Sequence, residues 1–178
     1  EGGRGRAEGG RRDGVAGGVC ALGCGEGGVG VGWVGRGGGR TLSRRAKGSS
    51  RHCEEQLRRT RAQHLSDDRE EVLRAANRGM QVNLYLEDWS NGMRHSPDYV
   101  FAMLDGLSDL PVGRFLCPDT LGILDPYATE RFCREMTTRY PTLRFDFHAH
   151  NDYDLAVANQ AAAVRAGFGG VHVRGTGW

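Results

Sequence analysis

Leu143-Arg144-Phe145-Asp146-Phe147-His148-Ala149-His150 is the stretch on which the fold turns. Read as a strand, it sends Leu143, Phe145, Phe147 and Ala149 to one side. Arg144, Asp146, His148 and His150 go to the other. A strand inside an open α/β sheet is covered by helices on both faces and is apolar on both. One apolar and one polar face suits a closed barrel instead, with helices outside and a polar site within. Gln81–Leu86 repeats the pattern, with Val82, Leu84 and Leu86 opposite Asn83, Tyr85 and Glu87. An edge strand with a wet face is the other reading that the alternation allows.

Working outward, strands start near residues 81, 113, 143 and 170, with a helical pattern in every gap. Ser66 is the expected N-cap of a helix carrying Val72, Leu73, Ala75 and Ala76 and closed by Gly79. Ser96-Pro97 and Asp125-Pro126 each pair a cap with proline at the first helical position. The fourth helix is expected from about Tyr153 to Ala166. Strands alternating with helices imply parallel pairing through right-handed crossovers. A unit of ~30 residues matches one eighth of a (β/α)8 barrel. The expected fold class is therefore α/β, a partial (β/α)8 TIM barrel of about four strand–helix units over residues 51–178.

Residues 1–50 differ. They hold nine Lys or Arg against four Asp or Glu, whereas the remainder holds fifteen against eighteen. Of the 29 glycines, 18 fall in the first 40 residues. So few large apolar side chains cannot offset chain entropy, and a disordered Gly/Arg-rich segment is expected. Arg/Gly-rich tails can bind RNA by charge and stacking, but Trp33 is the one aromatic here, which argues against a nucleic-acid partner. Among its 24 basic residues the chain has 23 Arg and one lysine, Lys47. That bias accompanies GC-rich coding, as does the glycine content. The five cysteines form no compact framework, which points to a reducing, cytoplasmic setting. No apolar run reaches the ~18 residues that cross a bilayer, so no membrane partner is expected.

The polar residues gather at strand ends. Phe147-His148-Ala149-His150-Asn151-Asp152 closes the third of the expected strands. Two histidines at i and i+2 on a strand project to the same side, close enough to ligate one metal ion. Glu87-Asp88 and Asp119-Thr120 end the two strands before it, on the same rim, where a barrel of this type places its active site.

These segments together carry a resemblance. Val82-Asn83-Leu84-Tyr85-Leu86-Glu87-Asp88-Trp89-Ser90-Asn91-Gly92, Leu116-Cys117-Pro118-Asp119-Thr120-Leu121-Gly122 and the His148 segment resemble the metal-dependent pyruvate carboxyltransferase-type barrels. That family includes 2-isopropylmalate, homocitrate and citramalate synthases and hydroxymethylglutaryl-CoA lyase, and the wording is most similar to a 2-isopropylmalate synthase-like branch. The resemblance implies a Claisen-type condensation of acetyl-CoA with a 2-oxoacid, as in leucine biosynthesis, in a homo-oligomeric full-length enzyme. It implies a divalent metal ion (Zn, Mn or Mg) held by His148 and His150. It implies Thr120 near the 2-oxoacid carboxylate and Glu87 as a catalytic polar group beside the substrate, with Asn151 and Asp152 ordering the site from behind. The family begins its barrel with a strand ending in Arg-Asp-Gly and completes its metal site in Asn-Gly-x-Gly-Glu-Arg. Arg12-Asp13-Gly14 lies in Gly-rich sequence with no strand before it, and the chain closes on Arg174-Gly175-Thr176-Gly177-Trp178. With four strands expected of eight, the chain reads as a fragment, inactive alone. A different metal barrel, an amidohydrolase, also uses His-x-His on a strand but needs further His and Asp ligands, and His172 is the single histidine that follows here.

Overall fold

In the computed structural model, residues 41–172 are described. Five parallel strands lie side by side in chain order: β1 (Thr41–Lys47), β2 (Gln81–Glu87), β3 (Val112–Asp119), β4 (Phe145–Ala149) and β5 (Gly170–His172). Between them run α1 (Arg61–Ala76), α2 (Trp89–His95), α3 (Pro97–Leu107), α4 (Pro126–Arg139) and α5 (Ala156–Arg165), and a single-turn π-helix, His52–Gln56, precedes α1. An open doubly wound sheet reverses its strand order at a switch point. Here the order never reverses, which is the winding of a (β/α)8 barrel, represented by five of its strands.

The strands have the two chemically different faces that the alternation foretells. Val82, Leu84, Leu86, Phe115, Cys117, Phe145 and Phe147 are buried under the helices. Asn83, Tyr85 and Glu87 on the opposite face stay half-exposed. Register keeps the faces aligned, with Leu84 beside Phe115 and Phe115 beside Phe145. One irregularity matters for the inner face. Val82 pairs with Val112 but Asn83 pairs with Arg114, so Gly113 is an extra residue. This bulge turns Arg114 inward, where its guanidinium reaches Asp146 Oδ2 at 2.7 Å.

Three expectations are corrected. Residues 41–50, placed in the disordered N-terminal segment, are ordered, and Thr41–Lys47 forms β1. Val82–Leu86 is therefore not the edge strand that its alternation also allowed, because β1 pairs along it from Thr41–Gln81 to Lys47–Glu87. Arg12-Asp13-Gly14 and residues 1–40 lie outside the described residues. Third, α1 begins five residues before Ser66. Thr60 is its N-cap, the Thr60 hydroxyl accepting from Gln63 N–H while Gln63 Oε1 accepts from Thr60 N–H. That reciprocal pair satisfies two amides left over at the helix start. Thr60→Ala should lower stability by about 1 kcal/mol, read as a lower urea midpoint with an unchanged m-value.

Helices α3 and α4 begin where expected, α5 begins at Ala156, three residues past the expected Tyr153, and α2 is a short helix that the periodicity does not indicate. Asp125 Oδ1 accepts from Ala128 N–H at 2.8 Å, and Pro126 follows it. Ser96 precedes Pro97, although its hydroxyl takes Ser50 N–H instead of capping α3. The cysteines Cys53, Cys117 and Cys133 are free and buried. Burial pushes the Cys117 and Cys133 thiols well above their ordinary value. Among the described residues no helix is long and apolar enough to cross a membrane.

Candidate active site at the C-terminal rim

Strands β1 to β4 deliver polar groups to the same rim. β1 ends in Lys47 and β2 in Glu87, adjacent in register, and Lys47 Nζ donates to Glu87 Oε2 at 2.5 Å. The same ammonium donates to Gln56 Oε1 at 3.2 Å. Only 12% of the lysine and 23% of the glutamate side chain is exposed, so this pair is shielded more than a surface ion pair.

Asp88 fastens the rim together. It is 2% exposed and holds a left-handed backbone, φ 66°. Its Oδ2 accepts from Ser49 Oγ at 2.8 Å, and its Oδ1 accepts from Asn91 Nδ2 at 2.8 Å. His52 Nε2 stands 3.4 Å from the same carboxylate. The Asp88 N–H donates to Thr120 Oγ1 at 2.9 Å, which ties the end of β2 to the turn after β3. Thr120 thus accepts through its oxygen and keeps a hydroxyl hydrogen to donate. Asp119, beside it, turns away. Its two oxygens accept from Ile123 N–H at 3.2 Å and Leu124 N–H at 2.9 Å and fix the loop into α4.

His148 lies on the inner face of β4 and pairs in register with Pro118 and His172. Its ring centroid is 5.1 Å from that of His150, 6.2 Å from that of His172 and 6.3 Å from that of Tyr85. Below this group a polar chain crosses the sheet. Arg114 donates to Asp146 Oδ2, His172 Nε2 lies 3.3 Å from that oxygen, and Tyr85 Oη lies 3.4 Å from His172 Nδ1. Burial, helped by the Asp146 charge, pushes the Tyr85 phenol up. Asn151 works on the backbone, accepting Ala156 N–H at 3.0 Å at the start of α5.

Glu87, Thr120, His148 and His150 therefore all stand at strand C-termini, as their sequence positions indicated. Lys47, Arg114 and His172 escaped the sequence reading as members of this face, whereas Tyr85 is on the polar face that the alternation assigns to it. Lys47 had one signal, as the lone lysine of the chain, at the end of a strand too polar to recognise. As a donor set, two imidazoles at i and i+2 suit a divalent ion of borderline softness. Among the described residues, however, no three His, Cys, Asp or Glu side chains are gathered that could hold a metal ion. The pair fits as part of a ligand set, not as a whole one.

A parallel sheet wound in chain order, with its polar groups collected on the C-terminal rim, defines part of a (β/α)8-type barrel. The chain belongs to the HMGL-like family, whose model matches residues 39–177. A homocitrate synthase of Saccharolobus islandicus is 35% identical over 124 residues, 70% of this chain and 26% of that protein. Another, from Sulfolobus acidocaldarius, is 32% identical over the same length. The chain thus spans about a quarter of the length of these relatives. Among solved structures, hydroxymethylglutaryl-CoA lyase from Pseudomonas aeruginosa shares the fold at a TM-score of 0.65 and 19% identity, over 74% of this chain and 45% of that one. An HMG-CoA lyase from Acinetobacter baumannii, in complex with coenzyme A and 3-methylmalate, does so at 0.62 and 21%, over 74% and 44%.

Proposed function

We propose that the chain is part of an acyl-CoA-dependent enzyme that joins acetyl-CoA to a 2-oxoacid by a Claisen-type condensation, of the 2-isopropylmalate synthase kind. The observation that carries this reading is the pair of imidazoles, 5.1 Å apart, on one rim with Thr120 and the Lys47–Glu87 pair. The homocitrate synthase relatives support the same reaction class with a different 2-oxoacid.

In this reading His148 and His150 hold a divalent metal ion as two of its ligands. When bound, such an ion polarises the ketone and carboxylate oxygens of the 2-oxoacid. Thr120 donates its remaining hydroxyl hydrogen to the substrate carboxylate, from a position fixed by Asp88 N–H. The Lys47–Glu87 pair sets one charge of each sign beside the substrate, held by a contact that survives in a shielded site. The buried sheet face under the helices keeps these strand ends in register, so the groups need little reorganisation.

Calorimetry with Mn²⁺ and one of pyruvate, 2-oxoisovalerate or 2-oxoglutarate tests the reading. Two imidazoles alone hold a metal loosely, so weak Mn²⁺-dependent binding of a 2-oxoacid is expected, with no turnover. It should vanish in His148→Ala and weaken about tenfold or more in Thr120→Ala, which removes one hydrogen bond to a charged group. The 2-oxoacid bound most tightly names the substrate. Binding of all three that is indifferent to both substitutions would sink the proposal.

A further inference from the structure

On the helix-facing side of β1 lies a buried polar cluster that the rim chemistry does not use. Asp68 on α1 is 0% exposed and His64, one turn before it, is 4% exposed. Arg44 of β1 donates to Asp68 Oδ1 at 2.9 Å through Nε, and its Nη2 lies 2.8 Å from the same oxygen. Oδ2 is buried and accepts no hydrogen bond among the described residues, yet it stands 3.1 Å from His64 Nε2. That same nitrogen accepts the Lys47 backbone N–H at 3.2 Å. The other ring nitrogen, Nδ1, lies 2.7 Å from Tyr99 Oη on α3.

A ring nitrogen has one in-plane position, either a lone pair or a hydrogen. Because Nε2 accepts from Lys47, His64 is neutral with its hydrogen on Nδ1, donated to Tyr99 Oη. Adding a proton at Nε2 removes the lone pair that Lys47 needs. It also creates a donor facing Asp68 Oδ2, the one buried acceptor in reach without a hydrogen bond. The two protonation states thus satisfy different neighbours from nearly the same ring position.

We propose that His64 is a proton-operated switch on the end of β1: neutral, it holds the Lys47 amide, and protonated, it turns to Asp68 and releases that amide. Lys47 is the residue whose ammonium holds Glu87 on the rim, so the switch couples a buried proton to the candidate active site.

The groups facing His64 come from every neighbouring element. β1 brings Arg44 and Lys47, α1 brings Asp67 and Asp68, and α3 brings Tyr99. Cys53 of the π-helix and Arg61, 5.3 Å from the Tyr99 ring, act on Tyr99. Burial, with Arg44 and Lys47, lowers the His64 value against the pull of Asp68. The switch therefore operates below the ordinary histidine value of about 6.5. For stability the sign follows: the His64 contribution is complete above that value and is lost as pH falls through the lowered one. Asp68, pushed up by burial, acts in the opposite sense, so the comparison that isolates His64 is wild type against His64→Gln.

Lysine labelled with ¹⁵N gives the full chain a single backbone amide resonance, that of Lys47. Between pH 8 and pH 5 this resonance should titrate with one midpoint below 6.5. Its protection against hydrogen exchange should fall about tenfold, the equivalent of one lost hydrogen bond. In His64→Gln, whose amide oxygen can accept from Lys47 but cannot titrate, the resonance should stay still. Should that variant not fold, Asp68→Asn serves. It removes the anion that rewards protonation, so the midpoint should move to lower pH. A Lys47 resonance that does not titrate in the wild type overturns the switch. So does a titration that persists in His64→Gln, or a midpoint unmoved in Asp68→Asn.

Discussion

Changing Trp89 to alanine is expected to unfold the chain at physiological temperature. Its indole is fully buried at the start of α2, where the left-handed Asp88 turns the chain from β2 into the helix. There it meets Phe132 of α4 edge-on at 6.2 Å, Phe147 of β4 at 6.3 Å, and Phe168 before β5 at 6.3 Å. One side chain thus joins four segments that are far apart in sequence. Truncating a buried aromatic costs about 3–5 kcal/mol, a large share of the ~5–15 kcal/mol that holds a domain together. Trp89→Phe separates ring packing from the indole nitrogen. Nε1 is buried and has no hydrogen-bond partner among the described residues, so phenylalanine discards an unpaired donor along with half of the ring system. Thermal denaturation should rank wild type above Trp89→Phe, and Trp89→Phe well above Trp89→Ala. Equal midpoints for wild type and the alanine variant would mean that the aromatic cluster does not hold the layers together.

Gly92→Ala should be as damaging, against the ordinary rule. In the interior of an exposed helix alanine is favoured over glycine by about 1 kcal/mol. Gly92 lies in α2, and a Cβ built there would stand 1.9 Å from Gly48 O and 2.8 Å from Val100 Cγ2. The first obstacle is backbone, just past β1, and that backbone is itself fixed because Gly48 N–H donates to Glu87 O at 2.6 Å. Nothing nearby can swing aside, so the cost should reach the upper end of the ~1–3 kcal/mol typical of overpacking or exceed it. Separating α2 from Gly48 also strains the Ser49–Asp88 bond. The expected result is a urea midpoint well below wild type, together with weaker 2-oxoacid binding. A variant as stable as wild type would contradict this close approach.

Strands β2 to β4 were legible because each buries one face, and α3 and α4 because each starts on a cap followed by proline; the short β5, with Val171 exposed, was legible through spacing alone, and α2 was not legible. Val82, Leu84 and Leu86 announce themselves, and so do Phe145 and Phe147. β1 was not legible, for a physical reason. Its helix-facing positions are Leu42, Arg44 and Ala46, so an arginine occupies the middle of what is normally an apolar row. That arginine is accommodated by the buried Asp68, a partner 24 positions away that only the fold brings near. The start of α1 was misplaced for a related reason. Ser66-Asp67-Asp68 has the composition of a helix start, but Asp68 is needed inside the helix to meet Arg44 and His64, while Thr60 and Gln63 do the capping. At the rim, Glu87, Thr120, His148 and His150 could be placed from strand ends alone. Arg114 could not, because a one-residue bulge sets its face. His172 and Tyr85 meet only through the register of strands that are not neighbours.

The buried cysteines give the molecule a built-in clock. A thiol attacks an alkylating reagent as its thiolate. At Cys117 and Cys133 burial both disfavours that form and blocks the approach. Cys117 lies on the helix-facing side of β3 and Cys133 on α4, so neither can react until those layers separate. The rate at which these two sulfurs are consumed in native buffer therefore measures how often the helical layer lifts from the sheet, and needs no denaturant to do so.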